Sequence, residues 1–400
     1  MRILLIVHEF ACDGADFHGG IATYYQNIAL TLKENNDDVR VVTLADKNEE
    51  QIWNGINVYK VSLSPVLYKI SKFLKTKVIE ELVGALLIRK RIDKLLAVWK
   101  PDIIQAANFR SVALFRRKDI PTVIRISSDS VLWRESYKYE YKYEKLFSNI
   151  NLSDSFEYLA MKRADGLFAP SNAVAKIIER RIQKKIDVIE SPAVSFGDNN
   201  KDYPNPLGDG EKYFLFYGAL SPMKGCLLIA DTLETLMQNY ADVHFVFIGH
   251  SYGIFDENGY KLMAVKDYIL SSSSKYSDRI HIYDSMSREK LIPYIANTIA
   301  CVFPSRIDNM PNTCIEAMQF KRVVIGTRGA SFEQLLEDGI SGLLVSIDNK
   351  EELLGAMSKV LEMTKEQRIV MGNRAYARLD YNKPRVIYTK LIDFYKGVLQ

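Results

Sequence analysis

Short apolar runs separated by polar turns recur along the first half of the chain: RILLIVHEF from Arg2, VRVVTLA from Val39, PDIIQAA from Pro101, TVIRISS from Thr122 and GLFAPS from Gly166. A helical period covers about Ile21 to Asn35. Continuous rather than alternating apolar runs mark strands covered on both faces by crossover helices, so a parallel sheet is predicted. A turn-rich stretch, Ser195 to Lys212, interrupts the pattern and reads as a linker. The pattern then restarts with YFLFYGAL from Tyr213, a helix from about Gly225 to Asn239, HFVFIGH from His244, RIHIYDS from Arg279, IACVFPS from Ile299, VVIGTRG from Val323 and GLLVS from Gly342. A second doubly wound domain is predicted there. The segment from Thr364 onward is helical with a break at Asn382 to Pro384, where proline removes a backbone donor.

Length agrees with this division, because single cores stop growing near about 250–300 residues and the chain has 400. The predicted layout is residues 1–197, residues 210–380, and a C-terminal helix over 381–400. The N-terminus reads as a buried first strand and not as a signal peptide, since Glu9 and the residues after it offer no small-residue cleavage site. No run reaches the roughly 18 apolar residues of a membrane-spanning helix.

Two stretches admit more than one reading. Residues 68–100 form a basic, amphipathic helical stretch. Its apolar stripe fits either a core-facing helix with a solvated outer face or attachment to an anionic membrane surface. Residues 134–147, RESYKYEYKYEKLF, read as a mobile or helical surface excursion, with acceptor contact as the alternative.

Composition changes the picture only by exclusion. Hydrophobic residues at 48% and charged residues at 26% describe a globular protein, and a net charge of +4 is too mild to point to nucleic acid. Cys12, Cys226, Cys301 and Cys314 are scattered, with no C-x-x-C pair and no zinc-ligand spacing. Among the five histidines, His18 beside Gly19 and Gly20 is the one to watch.

The chemistry concentrates in PSRIDNMPNTCIEAM, Pro304 to Met318, between two strand-like runs. Pro311 suits the first helical position, with Asn309 or Met310 at the cap. The amides from about Met310 to Thr313 then face outward at a helix N-terminus, which holds a diphosphate through unpaired donors and a partial positive charge. Asp308 stands just outside the helix and Glu316 inside it. Carboxylates beside a phosphate address hydroxyls more readily than the phosphate, so sugar and ribose are their candidates; equally, both acids could simply favour the helix's positive end.

An acid, seven residues, then Glu-Ala-Met, followed by a strand and a G-x-x-E turn, resembles the retaining group one, family four glycosyltransferases of the GT-B fold. That resemblance implies an α/β chain of two Rossmann-like doubly wound domains facing a cleft, the first on the acceptor side and the second holding the nucleotide-sugar donor. It also implies that the final helix crosses back to the first domain. Asp308 would face the donor sugar, where the family has Glu, and Glu316 the ribose; Asn309, Met310, Pro311, Asn312 and Thr313 would face sugar and phosphate. YGALSPMKG, Tyr217 to Gly225, is similar to the family's diphosphate-binding strand end. Lys224 matches, whereas Ala219 stands in the place of the arginine, for which Arg306 and Arg328 are the candidate replacements. Gly19 and Gly20 match the family's loop before the first helix, near donor phosphate and acceptor. Glu333 matches as a structural or supporting residue. Ser127 stands where many relatives have histidine.

The expected reaction is transfer of a sugar from a nucleotide-diphosphate sugar, UDP-sugars first and GDP-mannose next, with Asp308 and Lys224 as catalytic groups and no cofactor or metal. The expected acceptor is a glycan or lipid-linked saccharide of cell-surface polysaccharide synthesis, met in the cytoplasm, at the inner membrane face if the basic helix makes peripheral contact. A nucleotide-sugar epimerase on the same scaffold, or a nucleotide-sugar-binding partner without turnover, are the alternatives.

Overall fold

The computed structural model describes residues 1–10, 12, 20–63, 78–127, 129–148 and 150–400. Its chain divides into two compact units, the first made of Met1–Val131, Phe147–Val194 and Asn382–Gln400, the second of Leu132–Leu146 and Ser195–Tyr381.

The first unit is built on an eight-stranded sheet: β1 (Arg2–Val7), β2 (Asp38–Ala45), β3 (Glu49–Trp53), β4 (Ile56–Ser62), β5 (Ile103–Ala107), β6 (Thr122–Arg125), β7 (Gly166–Ala169) and β8 (Asp187–Val188). Their spatial order is β3-β4-β2-β1-β5-β6-β7-β8. Every neighbouring pair is parallel except the edge hairpin β3–β4, whose turn residues Asn54 and Gly55 both have positive φ. Helices α1 (Gly20–Glu34), α2 (Val78–Leu96), α3 (Ser130–Ser136), α4 (Leu152–Arg163) and α5 (Asn172–Ile182) follow in sequence. Burial explains the continuous apolar runs: β5 is buried at every position, and β1 at every position after Arg2.

Helix α2 buries Gly84, Ala85, Ile88, Ile92 and Leu95, as the core-facing reading of residues 68–100 requires. On its outer side Arg89 bonds Asp93 at 3.0 Å and Arg91 pairs closely with Glu50, so these guanidiniums already have partners. Residues 64–77 lie outside the described part of that stretch.

The second unit holds a six-stranded parallel sheet in the order β13-β10-β9-β14-β15-β16, plus the small antiparallel hairpin β11–β12. Its elements are β9 (Lys212–Tyr217), α6 (Cys226–Asn239), β10 (Val243–Ile248), β11 (Gly253–Phe255), β12 (Lys261–Ala264), α7 (Val265–Ser272), β13 (Ile280–Tyr283), α8 (Arg288–Asn297), β14 (Ala300–Val302), α9 (Asn312–Gln319), β15 (Val323–Thr327), β16 (Leu343–Val345), α10 (Lys350–Glu362) and α11 (Lys365–Arg378). A short 3-10 turn over Leu379–Asn382 then leads to α12 (Pro384–Leu399), with proline at the helix start where it removes no helical bond. Helix α12 belongs to the first unit: Tyr395 donates to Gln105 Oε1 of β5 at 2.5 Å and Phe394 meets Phe168 edge-on.

One expectation changes here. Residues 134–147 are not a free surface excursion, and most of them leave the expected 1–197 domain for the second unit. After α3 ends, the Tyr139 amide donates to the Phe255 carbonyl at 2.9 Å, extending the β11–β12 hairpin. The buried Arg306 guanidinium collects the carbonyls of Ser136 (3.2 Å), Lys138 (2.6 Å) and Tyr139 (3.0 Å) while its Nε meets both Asp348 oxygens. A planar fork of donors suits this task, because carbonyls just past a helix end otherwise lack partners. The alternating Tyr and Lys pattern had concealed an anchored strap.

Candidate active site

Each sheet changes direction once, and ligands of open α/β sheets bind beyond the carboxyl ends of the strands at that point. In the second unit the reversal lies between β9 and β14. Residues following β9 form the YGALSPMKG segment and those following β14 form the PSRIDNMP loop, so the two motifs meet for a topological reason.

Backbone packing fixes their approach. Gly218, at φ 122°, ends β9, and a Cβ on Gly249 would fall 1.7 Å from the Gly218 carbonyl oxygen. The chain then caps a short 3-10 turn with Ser221 and reaches Gly225 at φ 78°, where a Cβ would sit 2.0 Å from the Pro304 carbonyl oxygen. Only glycine fits a left-handed position in such contact. The Arg306 amide donates to the Met223 carbonyl at 2.8 Å, binding the β14 loop to this turn. As a result Lys224 Nζ makes a close ion pair with Asp308 Oδ2, the two side chains being 25% and 10% exposed. Ser331, at φ 75°, donates to the Asp308 carbonyl at 2.6 Å and holds the loop from its other side.

Helix α9 begins one residue later than expected. Pro311 occupies the cap position, and its carbonyl accepts from Cys314 and Ile315. With no N–H, Pro311 can offer a ligand no donor. No side chain caps this helix. The amides of Asn312 and Thr313 have no acceptor among the described residues, which leaves two donors and the helix's positive end directed outward. Asn312 is exposed and Thr313 half-buried, while Met310 is buried in the core.

Glu316 lies one turn farther in. Burial pushes its carboxyl up to about 8, against the opposing pull of Arg288 and of a hydrogen bond shared with the Tyr217 hydroxyl. The Tyr217 hydroxyl also reaches the Thr313 carbonyl at 2.7 Å, tying the end of β9 to the first turn of α9. A neutral carboxyl both donates and accepts, which suits a pair of vicinal hydroxyls. Because the folded pKa lies above the ordinary 4.5, the folded state holds this proton more tightly than the unfolded chain. Its contribution is therefore full below pH 4.5 and is lost as pH rises through about 8. In denaturant titrations, Glu316→Gln is expected to abolish a loss on the order of 3 kcal/mol between pH 6 and 9, allowing for partial exposure. An identical slope in variant and parent would remove the burial assignment.

Neither substitute for the arginine replaced by Ala219 is free. Arg306 serves the strap and Asp348, and Arg328 pairs with Asp338 at 2.8 Å and Glu352 at 2.9 Å. Glu333 accepts from the Gly329 amide at 3.0 Å, a turn-closing contact. Gly20 is the exposed first residue of α1; Gly19 and His18 lie outside the described residues. None of the four cysteines forms a disulfide, and among the described residues no three His, Cys, Asp or Glu side chains gather as metal ligands.

Comparison with known proteins fits this geometry. Residues 198–378 match the family described as Glycosyl transferases group 1, and residues 18–192 match Glycosyltransferase Family 4. The chain belongs to the group 1 glycosyltransferases. An uncharacterised glycosyltransferase of Methanocaldococcus jannaschii is 21% identical over 357 residues, 88% of this chain and 86% of its own. Among solved structures, sucrose-phosphate synthase of Thermosynechococcus elongatus superposes with a TM-score of 0.74 at 14% identity, covering 100% of this glycosyltransferase and 99% of that chain. A trehalose-6-phosphate protein of E. coli bound with UDP-2-fluoro glucose gives a TM-score of 0.71 at 13% identity, with 98% and 99% coverage. These neighbours share the GT-B fold. Within the glycosyltransferase site, Ser331, Tyr217 and Arg288 are the residues that sequence reasoning missed. None stands inside the acid-x7-Glu motif, and each acts on it from a different element.

Proposed function

We propose that this glycosyltransferase moves a sugar from a nucleotide-diphosphate donor, a UDP-sugar by preference, to a saccharide or lipid-linked saccharide of cell-surface polysaccharide synthesis, with retention at the anomeric carbon. The observation that carries the donor assignment is the convergence of Lys224, Asp308 and the uncapped start of α9 beyond the carboxyl ends of β9 and β14. An ammonium has three donors, so Lys224 can keep Asp308 and still reach a phosphate oxygen. The amides of Asn312 and Thr313 supply further donors without another cation, which compensates for Ala219.

In this reading the acceptor oxygen bonds to the anomeric carbon as that carbon's bond to the diphosphate oxygen breaks, and the acceptor's proton passes to the leaving diphosphate. Lys224 and the helix end stabilise the charge that grows there. Asp308 addresses the sugar hydroxyls and Glu316 the ribose. No metal or cofactor is assigned a role. UDP is favoured because the E. coli neighbour is bound with UDP-2-fluoro glucose. Among the described residues no helix is long and apolar enough to cross a membrane, so contact with a lipid-linked acceptor at the inner membrane face would be peripheral.

The test is a thermal-shift panel of UDP, GDP, ADP and TDP sugars. A selective stabilisation by UDP-sugars is expected; no shift with any donor would sink the transferase reading in favour of a chain that has lost donor binding.

A further inference from the structure

In the first unit the sheet reverses between β1 and β5, so the crevice beyond the carboxyl ends of β1, β5 and β6 is its natural ligand position. Two cationic side chains stand there, Arg125 and Arg110, and neither has a carboxylate partner among the described residues. Arg125, at the end of β6, is 4% exposed and stacks 3.5 Å over the Tyr24 ring. It donates to Ser127 Oγ at 2.7 Å and Ser191 Oγ at 3.0 Å, and its buried Nε has no acceptor. No carboxylate lies within ion-pair distance of it among the described residues. Of the described acids on neighbouring segments, Asp129 pairs with Arg181 at 2.6 Å, Glu190 accepts from Asn382 at 2.7 Å, and Glu157 is held well above the carboxylate range by burial and by Asp129. A buried guanidinium with only hydroxyl partners is costly, which makes it a strong attractor for an anion.

Ser127 is how that charge reaches the surface. Its amide donates to Asn108 Oδ1 at 2.8 Å, fixing it to the end of β5, and its side chain is half-exposed. The hydroxyl accepts from Arg125, so its own proton is directed away from the guanidinium and is available to a ligand. Shortly after Asn108 in the chain, Arg110 and Ser111 are both left-handed, at φ 57° and 52°, and the Arg110 amide is held by Glu157 at 3.1 Å. Consecutive non-glycine residues in that region are strained, and such strain collects at binding sites. The Arg110 side chain also has no carboxylate partner among the described residues. His8, at the end of β1, is kept neutral by burial and by Arg110, its pKa held down to about 4, so it neither adds to nor cancels the charge at pH 7.

We propose that this crevice receives the acceptor and selects one carrying a negative group, a phosphate or a carboxylate, through the outward Ser127 hydroxyl with Arg125 behind it and Arg110 beside it. The inference rests on the transferase reading for the word acceptor; binding of the anionic sugar does not. Ser127 then sets specificity, since a hydroxyl backed by a guanidinium is a donor and not a base.

The test measures binding of glucose 6-phosphate, glucuronate and glucose to the full chain, with UDP present to saturate the donor site. At least one anionic sugar is expected to bind roughly tenfold or more tightly than glucose, and Ser127→Ala and Arg110→Gln should each remove most of that preference. Which of the two anions binds tells phosphate from carboxylate. Equal affinity for all three sugars, or a preference unchanged in both variants, overturns the proposal. Loss of the UDP thermal shift in the parent chain would instead overturn the donor reading, and its retention in Ser127→Ala shows that the variant is folded.

Discussion

Lys224→Ala is expected to lower kcat about 10²- to 10³-fold, the usual effect of removing one group that stabilises charge in the transition state. Its partner Asp308 is one-tenth exposed and would lose its cation, so the free variant should also melt earlier, by the equivalent of about 1–3 kcal/mol. The informative quantity is therefore the shift produced by the UDP-sugar, not the melting temperature itself. That shift should vanish in the variant while the far-ultraviolet circular dichroism is unchanged. A kcat within about threefold of the parent would mean that Lys224 only positions Asp308, and that the diphosphate charge is met by the α9 amides alone.

The second large effect is structural. Arg306→Met preserves length and removes the fork that gathers the carbonyls of Ser136, Lys138 and Tyr139 and the Asp348 carboxylate. Breaking a buried pair of this kind costs about 3–5 kcal/mol, and for a unit of this size Tm should fall by roughly 10 °C. Limited proteolysis should open first between residues 136 and 142, where the strap loses its anchor. An unchanged Tm and an unchanged cleavage pattern would show that the Tyr139–Phe255 pairing and the Lys142–Glu257 ion pair hold the strap without Arg306.

What could be read in the sequence follows from how local its causes are. Most of the parallel strands were legible because burial on both faces leaves continuous apolar runs, whereas β4 and the two-residue β8 were not read. The edge hairpin β3–β4 was not legible, because EEQIW is short and largely exposed and INVYKVS is interrupted by Asn57 and Lys60; its signal is the Asn54–Gly55 pair, which supplies the two positive φ angles of a tight hairpin. Asp308 and Glu316 could be found because their spacing is contained in one loop and helix. The ion pair between Lys224 and Asp308 spans 84 positions and depends on Gly225 passing against Pro304, which no local pattern encodes. Pro311 was placed one residue too far into the helix because proline fits both the cap and the position after it. The 134–147 strap was misread for a related reason: its partner, Arg306, lies about 170 residues away in sequence, so Tyr and Lys alternation looked like a solvated face.

Titration of the isotope-labelled protein with UDP, following the backbone amide resonances of Asn312 and Thr313, locates the diphosphate directly. If the diphosphate binds at the start of α9, both amides should move downfield and saturate with a common Kd, and the movement should disappear in Lys224→Ala. Saturating shifts elsewhere in the second unit, with these two amides unmoved, would contradict the site.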